Sequence, residues 1–306
     1  MKTSALLAAA AALSSLAGAA GCSTYSVRKS ALAPHMAPPM RSGAGLGESA
    51  AEASFGASTL VSGAPPEEGA GANAGLHIPR RELGGALRGG VTRNLDLGIL
   101  WDYGLRQGAY KTNQDEPSPQ NGSVWGAGFS TFYSIPSVFP GVRIGIGLDL
   151  MRYSVPYVEY RTCVEYCDAG PYTTVKHDRE GINVYSLSII PSWRSGRITL
   201  FGGGTLRNHP TVAKGEVEYG TYDDDEVEEG PTNLVVTAGA EIELVAGVRL
   251  LGMVYQPMSE DPVRYGPTIG VALTVPLARR APPPPPRSAP LAVSGPPTIS
   301  PTPTPR

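Results

Sequence analysis

The feature that most constrains the fold of this chain is an uninterrupted two-residue alternation that starts at Val142, directly after a Pro140-Gly141 turn signal. The aliphatic positions are Val142, Ile144, Ile146, Leu148 and Leu150, and they alternate with Arg143, Gly145, Gly147 and Asp149. Because successive side chains of a β-strand point to opposite faces, this pattern predicts a strand with one apolar and one polar face. The apolar side spans about ten residues before Tyr153 and Tyr157, a length that suits a strand crossing a lipid bilayer.

Comparable alternation recurs along the chain and is separated by turn residues and polar loops. Strands are predicted over 95–105, 125–135, 142–157, 185–193, 198–206, 234–244, 248–255 and 269–275, and weaker signals cover 51–61 and 82–92. A regular series of short strands is typical of barrels and sandwiches. We therefore predict an all-β fold, an antiparallel up-and-down β-barrel of about eight to ten strands within residues 51–280, in which 82–277 is the best-supported part.

Residues 1–21 have the layout of a secretory signal peptide, with a basic start, an apolar run and small residues before Cys22. The segment from Leu16 to Cys22 resembles the lipobox of bacterial lipoproteins, although Ala19 stands where that family usually has leucine. The resemblance implies that Cys22 is acylated as the mature N-terminus, and the following Ser23 implies sorting to the outer membrane. Ordinary cleavage nearby, with Cys22 unmodified, is the alternative.

Two biased segments flank the predicted barrel. Residues 22–50 are rich in Ala, Pro, Ser and Gly, with too few large apolar side chains to offset the entropy of ordering them, so they are predicted to form a disordered tether. Residues 281–306 carry proline runs that favour polyproline II and cannot join a central strand, so they are predicted to form a disordered tail outside the barrel.

Alternation alone does not decide whether the apolar face is buried in a soluble barrel or faces lipid. Connection lengths favour the membrane, because tight turns at 93–94, 140–141, 195–196 and 246–247 alternate with long polar loops. Aromatic positions agree, since Trp101 and Tyr103 fall towards one end of the apolar faces and Tyr133 and Trp193 towards the other. An even strand number would place both ends of the barrel in the same compartment.

At the level of architecture, residues 85 to 277 resemble small bacterial outer-membrane β-barrels. That class commonly closes its last strand with an aromatic residue, whereas here a long tail follows Leu277. The polar faces of the strands would line the lumen of such a barrel, where opposite charges can pair. The predicted lumen charges are Asp96, Asp102, Arg143, Asp149, Glu241 and Glu243.

Few residues suggest chemistry. Cys163 and Cys167 lie in a predicted external loop of an exported chain, so a disulfide is expected, and a metal pair is the weaker alternative. Asp223, Asp224, Asp225 and Glu226 are weak candidates for a cation site, but without EF-hand spacing they are better explained as a solvated loop, and no metal is expected. A hydrolase would need His177 or His209 close to a serine such as Ser186 or Ser188, and no nucleophile-elbow motif is present.

The sequence therefore predicts a non-enzymatic outer-membrane β-barrel lipoprotein with an envelope-structural or surface-interaction role and no cofactor. Its expected partners are the lipid bilayer and other envelope proteins, contacted through the loops or the proline-rich tail. A net charge of -2 gives no reason to expect nucleic acid. A narrow porin-like channel and a soluble secreted or periplasmic β-barrel lipoprotein that binds a small ligand, located in the periplasm or at the cell surface, are the alternatives.

Overall fold

The structure is a computed structural model that describes residues 24–35, 37–61, 75–105, 110–111, 117–120, 122–165, 172–213, 217–218, 221–222, 225–245, 247–258 and 267–278. Within these ranges the fold is all-β and has no helix, as predicted. The described part of the chain holds no helix of the length and apolar character needed to cross a membrane.

Ten of the described strands close into an antiparallel barrel, which confirms the predicted fold class. In order around the ring they are β8 (Val142–Glu165), β7 (Val124–Pro136), β5 (Leu95–Leu105), β4 (Arg81–Gly90), β2 (Ala51–Leu60), β15 (Thr268–Ala278), β14 (Val248–Pro257), β13 (Glu226–Val245), β10 (Ile198–Ala213) and β9 (Tyr172–Ser195). Pairing of β8 with β9 closes the ring. The number is ten because both weak sequence signals, at β2 and β4, form full strands.

Short hairpin connections meet at one end of the barrel, which is termed the turn end. Gly141, Gly196 and Gly247 lie in these connections with φ of 77°, 59° and 88°, a region that glycine adopts without steric cost. The long connections leave from the opposite end, termed the loop end. This asymmetry follows the predicted alternation of tight turns and long loops.

The five remaining strands lie outside the ring. They are β1 (Thr24–Leu32), β3 (Leu76–Ile78), β6 (Tyr110–Lys111), β11 (Val217–Glu218) and β12 (Thr221–Tyr222). Strand β1 pairs with the distal part of β8, from Tyr157 to Glu165, and β3 and β6 extend the sheet beyond β1. The sheet therefore continues past the barrel at the loop end.

The two faces of the barrel strands are chemically distinct. Large apolar side chains point outwards, with Phe129 70% and Leu148 58% exposed, whereas the neighbouring Asp149 is 2% exposed on the inner face. The apolar face is thus on the outside, opposite to the arrangement of a soluble barrel with an apolar interior. The continuous outer surface formed by these apolar side chains is termed the belt.

Aromatic side chains lie near both edges of the belt. Trp101 and Tyr103 face outwards towards the loop end, and Tyr133 and Trp193 face outwards at the turn end, where they pair with the first residues of β5 and β8. In contrast, the tyrosines that break the alternation of their own strands, Tyr153 among them, are buried inside the barrel. These four side chains thus form two rows at the edges of the belt, and the outward-facing Phe55 and Phe129 lie between them.

The prediction of a disordered tether over residues 22–50 is wrong for the described residues of that range. Residues 24–32 form β1, and residues 33–35 and 37–47 run through the barrel from the loop end to the turn end. Sequence composition was misleading because the segment forms no core of its own; the barrel wall supplies its burial and hydrogen-bond partners. The barrel itself begins at Ala51 and ends at Ala278 on the same side, the turn end, as the even strand number predicts, whereas Thr24 lies at the loop end because the plug crosses the barrel. Residues 1–21 and 281–306 lie outside the described residues.

Candidate functional site

The lumen is occupied by residues 33–35 and 37–47, which are termed the plug. The plug contacts inward-facing residues of β2, β4, β5, β7, β8, β10, β13 and β15. Because these partners come from all around the ring, the plug lies inside the barrel. The candidate functional site is therefore the plugged lumen.

Arg41 makes the central contact of the plug with the wall. Its Nη2 donates to Asp149 Oδ2 at 2.9 Å and its Nη1 donates to Ser130 Oγ at 2.6 Å. Ser130 and Ser186 also donate to the Asp149 carboxylate, at 2.6 and 3.0 Å. The guanidinium lies 4.6 Å from the centre of the Phe132 ring, within the range of a cation–π contact. Both charges are buried, so each depends on the other for compensation.

At the loop end, three histidine and arginine contacts fix the plug backbone. The backbone N–H of His35 donates to Glu82 Oε2 at 2.8 Å. His209 Nε2 lies 2.7 Å from the carbonyl oxygen of Pro34, and Arg207 Nη1 donates to the carbonyl oxygen of Ala37 at 2.6 Å. Because a carbonyl oxygen only accepts, His209 carries its proton on Nε2. These side chains position the plug rather than face solvent.

At the turn end, the wall again binds the plug backbone. Ser134 Oγ donates to the carbonyl oxygen of Gly43 at 2.9 Å, and the backbone N–H of Leu46 donates to the Asp96 carboxylate at 3.0 Å. Both contacts are made to the plug backbone, so they do not depend on which side chains the plug carries. A segment of small residues is therefore sufficient to fill this part of the lumen.

A second charge cluster lies in the wall beside the plug. Glu52 accepts hydrogen bonds from both Arg88 and Arg249, and Arg249 Nη1 also donates to Glu241 Oε1 at 3.1 Å. Ser42 of the plug donates to the other oxygen of Glu241 at 3.4 Å. Two guanidinium groups, from β4 and β14, thus neutralise two carboxylates, from β2 and β13.

The predicted lumen charges occupy three environments. Asp96, Asp149 and Glu241 are buried on the inner face. Asp102 is half-buried and accepts a hydrogen bond from the Tyr153 hydroxyl. Arg143 and Glu243 lie half-buried near the turn end, where Glu243 pairs with Arg194 at 2.6 Å.

Glycines of the wall leave the space that the plug occupies. A Cβ atom on Gly147 would overlap Arg41 Nη2 of the plug, and one on Gly145 would overlap the Phe132 ring of the wall as well as lie 2.9 Å from the Cα of Gly43. Gly147 therefore leaves room for the plug, and Gly145 leaves room for both Phe132 and the plug. The alternation in β8 places these glycines on the lumen side but does not show what fills the lumen.

The plug residues are the part of the site that sequence reasoning missed. The available signal was that carboxylates outnumber cations among the predicted lumen charges, so that a cation from elsewhere in the chain is needed to compensate them. Arg41, in the flanking segment, supplies one.

The predicted disulfide and cation residues lie at the loop end. Cys163 pairs with Tyr25 through the backbone, and Cys167 lies outside the described residues, so the disulfide stays a prediction.

Of the weak cation candidates, Asp223 and Asp224 also lie outside the described residues. Asp225 is buried and accepts hydrogen bonds from Arg28 at 2.9 Å and the backbone of Lys29 at 3.2 Å, while Glu226 is exposed at the start of β13. Asp225 therefore anchors β1; the described residues hold no group of three or more candidate metal ligands.

The residues considered for hydrolysis lie apart. His177 is exposed on β9, and His209 contacts the plug. Ser186 donates to Asp149, and Ser188 accepts from Thr205 at 3.0 Å. These serines are thus part of the polar wall of the lumen.

Two other serine–histidine contacts occur, Ser30 with His77 at 2.6 Å and Ser58 with His35 at 3.0 Å. All four side chains are buried. They join β1 and the plug to the neighbouring strands.

No protein-family model matches the chain, and no curated protein matches it significantly. Function is therefore inferred from the belt, the plugged lumen and the loop-end sheet.

Proposed function

We propose that the chain is a non-enzymatic outer-membrane β-barrel lipoprotein with an envelope-structural or surface-interaction role. The observation that carries this proposal is the belt, in which large aliphatic side chains are exposed on strands all around the ring. Monomeric soluble proteins rarely expose contiguous apolar patches beyond a few hundred Å², because each Å² of apolar surface costs about 25 cal/mol in water. In a bilayer the same surface is in contact with hydrocarbon.

Two further features support insertion in a membrane. The aromatic rows at the edges of the belt correspond to the interfacial girdles of membrane barrels. The lumen carries the charges, and every barrel strand is paired on both sides, so no backbone edge faces the lipid. With short turns on the periplasmic side, the loop end would face the exterior.

The loop-end sheet supports a role in surface interaction. Strands β8 and β9 have 24 residues each and extend well past the belt, and β1, β3 and β6 widen the sheet there. A rigid sheet that projects from a membrane barrel offers a contact surface to other envelope components.

Gel mobility and carbonate extraction test the proposal. We expect the membrane fraction to retain the protein in carbonate, and the unboiled protein to migrate differently from the boiled protein, since a closed barrel resists unfolding by detergent. Release by carbonate without a heat-dependent shift would instead support the soluble periplasmic alternative. Mass spectrometry of the mature N-terminus tests acylation of Cys22.

A further inference from the structure

We infer that the barrel is a latent, cation-preferring channel that the plug keeps closed. This inference rests on the proposed insertion in a membrane. It goes beyond a structural role because it assigns to the lumen an activity that appears only when the plug leaves.

The first observation is the size of the space that the plug fills. Barrels of about eight strands are filled by their own side chains, whereas this ring has ten strands. At the level of Arg41, strands β7, β8 and β9 present small residues to the lumen; they are Gly145, Gly147, Ser130, Ser134, Ser188 and Ser192. Larger side chains such as Phe132 also face the lumen, yet the ring still accommodates the plug. Removal of the plug therefore leaves a passage that is lined in part by glycine and serine.

The second observation is the charge of the wall. Seven carboxylates and five guanidinium groups face the lumen in the described strands, which leaves an excess of two negative charges. The carboxylates are Glu52, Glu82, Asp96, Asp102, Asp149, Glu241 and Glu243, and the guanidinium groups are Arg88, Arg143, Arg194, Arg207 and Arg249. Arg41 of the plug offsets part of this excess. An open lumen lined in this way favours cations.

The third observation is how the plug is held. Many of its contacts with the wall are hydrogen bonds and ion pairs, which water can replace at little enthalpic cost, while Ala33, Ala37 and Met40 pack against apolar residues. A cavity of about 50 Å³ already lies between Met40 and the wall near Glu82 and Arg88, large enough for a few water molecules. Hydration of the lumen can therefore begin at this cavity.

The connection of the plug sets its route of release. The plug continues into β2 at the turn end, whereas at the loop end it is held by pairing of β1 with β8 and by the contact of Arg28 with Asp225. Loss of these loop-end contacts would free the N-terminal end of the plug, while its link to β2 keeps it attached at the turn end and leaves the ring undisturbed.

Single-channel recording in planar bilayers tests this inference. The natural chain is compared with a variant lacking residues 24–47 and with full-length Arg41→Glu, which places a carboxylate against Asp149. Arg152→Glu is the matched control, because Arg152 is exposed outside the lumen. Each protein is first checked for the heat-dependent gel shift.

We expect no conductance steps from the natural chain or Arg152→Glu, sustained steps from the truncated variant and intermittent steps from Arg41→Glu. In a KCl gradient the reversal potential should have the sign of a cation-preferring pore, and Asp149→Asn in the truncated variant should move it towards zero. Steps from the natural chain equal to those of the truncated variant would overturn the role of the plug.

A truncated variant that retains the gel shift but does not conduct would overturn the inference. If the truncated variant does not fold, the full-length Arg41→Glu protein tests the inference instead. The absence of conductance steps from that protein would then overturn the inference. An anion-preferring pore would contradict the charge argument. Loss of the gel shift in the natural chain would instead contradict the proposed membrane function.

Discussion

Arg41 shows how a single residue of a segment with little patterning can be essential to a fold. It is buried against Asp149, so its removal leaves an uncompensated carboxylate among Ser130 and Ser186. We predict that Arg41→Ala lowers the free energy of unfolding by about 3–5 kcal/mol. Denaturant titration of the detergent-folded protein measures this change.

Arg152→Ala is the control for that substitution, and it should change stability little because its side chain is exposed. Replacing both partners, as Arg41→Met with Asp149→Leu, should cost less than Arg41→Ala alone, since no unpaired charge remains. Equal losses from Arg41→Ala and Arg152→Ala would show that the buried pair is not formed.

Gly147 allows a second test at the residue scale. Because its Cβ would overlap the Arg41 guanidinium, we predict that Gly147→Leu displaces the plug. Arg41 should then be cleaved by trypsin, whereas it should resist cleavage in the natural protein. In Gly252→Leu, where a Cβ meets open space, the plug should stay protected. Protection in both variants would contradict the observed position of the plug.

The barrel strands are the elements that the sequence predicts best. In β5, β7 and β8 the alternation of apolar and polar residues depends only on which face of the strand points outwards and which faces the lumen. It can therefore be recognised within a short stretch of sequence. Strand β1 and the plug have no such pattern, because their partners are distant in sequence: the distal part of β8 for β1, and wall residues 23 to 199 positions away for the plug. For the same reason, the predicted external loop that holds Cys163 is in fact strand as far as Glu165.

The belt makes a depth-dependent prediction for the outer faces of the strands. Leu148 lies midway along the membrane part of β8, so Leu148→Lys should destabilise the barrel in bilayers by about 2–4 kcal/mol. Val245→Lys, at the turn end, should cost about 0–1 kcal/mol, although Val245 is 70% exposed. Unfolding titrations in lipid vesicles measure both, and equal costs would argue against a membrane around the belt.

At the scale of the whole molecule, the plug places the two ends of the described chain on opposite sides. Thr24 pairs with Glu165 at the loop end, and Ala278 ends β15 at the turn end. We predict that an epitope inserted after Ser23 binds antibody on intact cells, whereas an epitope after Arg306 binds only after the outer membrane is permeabilised. Equal protection of both epitopes in intact cells would show that the N-terminal segment does not pass through the barrel.

The central claim is that the aliphatic faces of the strands touch hydrocarbon, and spin-label accessibility tests it most directly. Cys22, Cys163 and Cys167 are first changed to serine. Nitroxides are then attached at Leu148→Cys and Val271→Cys, which lie on opposite sides of the ring. A third nitroxide is attached at Val138→Cys, in a turn where the side chain is 92% exposed. In vesicles, the labels at 148 and 271 should collide often with oxygen and rarely with a water-soluble nickel complex, and the label at 138 should show the reverse. Frequent collisions of all three labels with nickel would contradict the account.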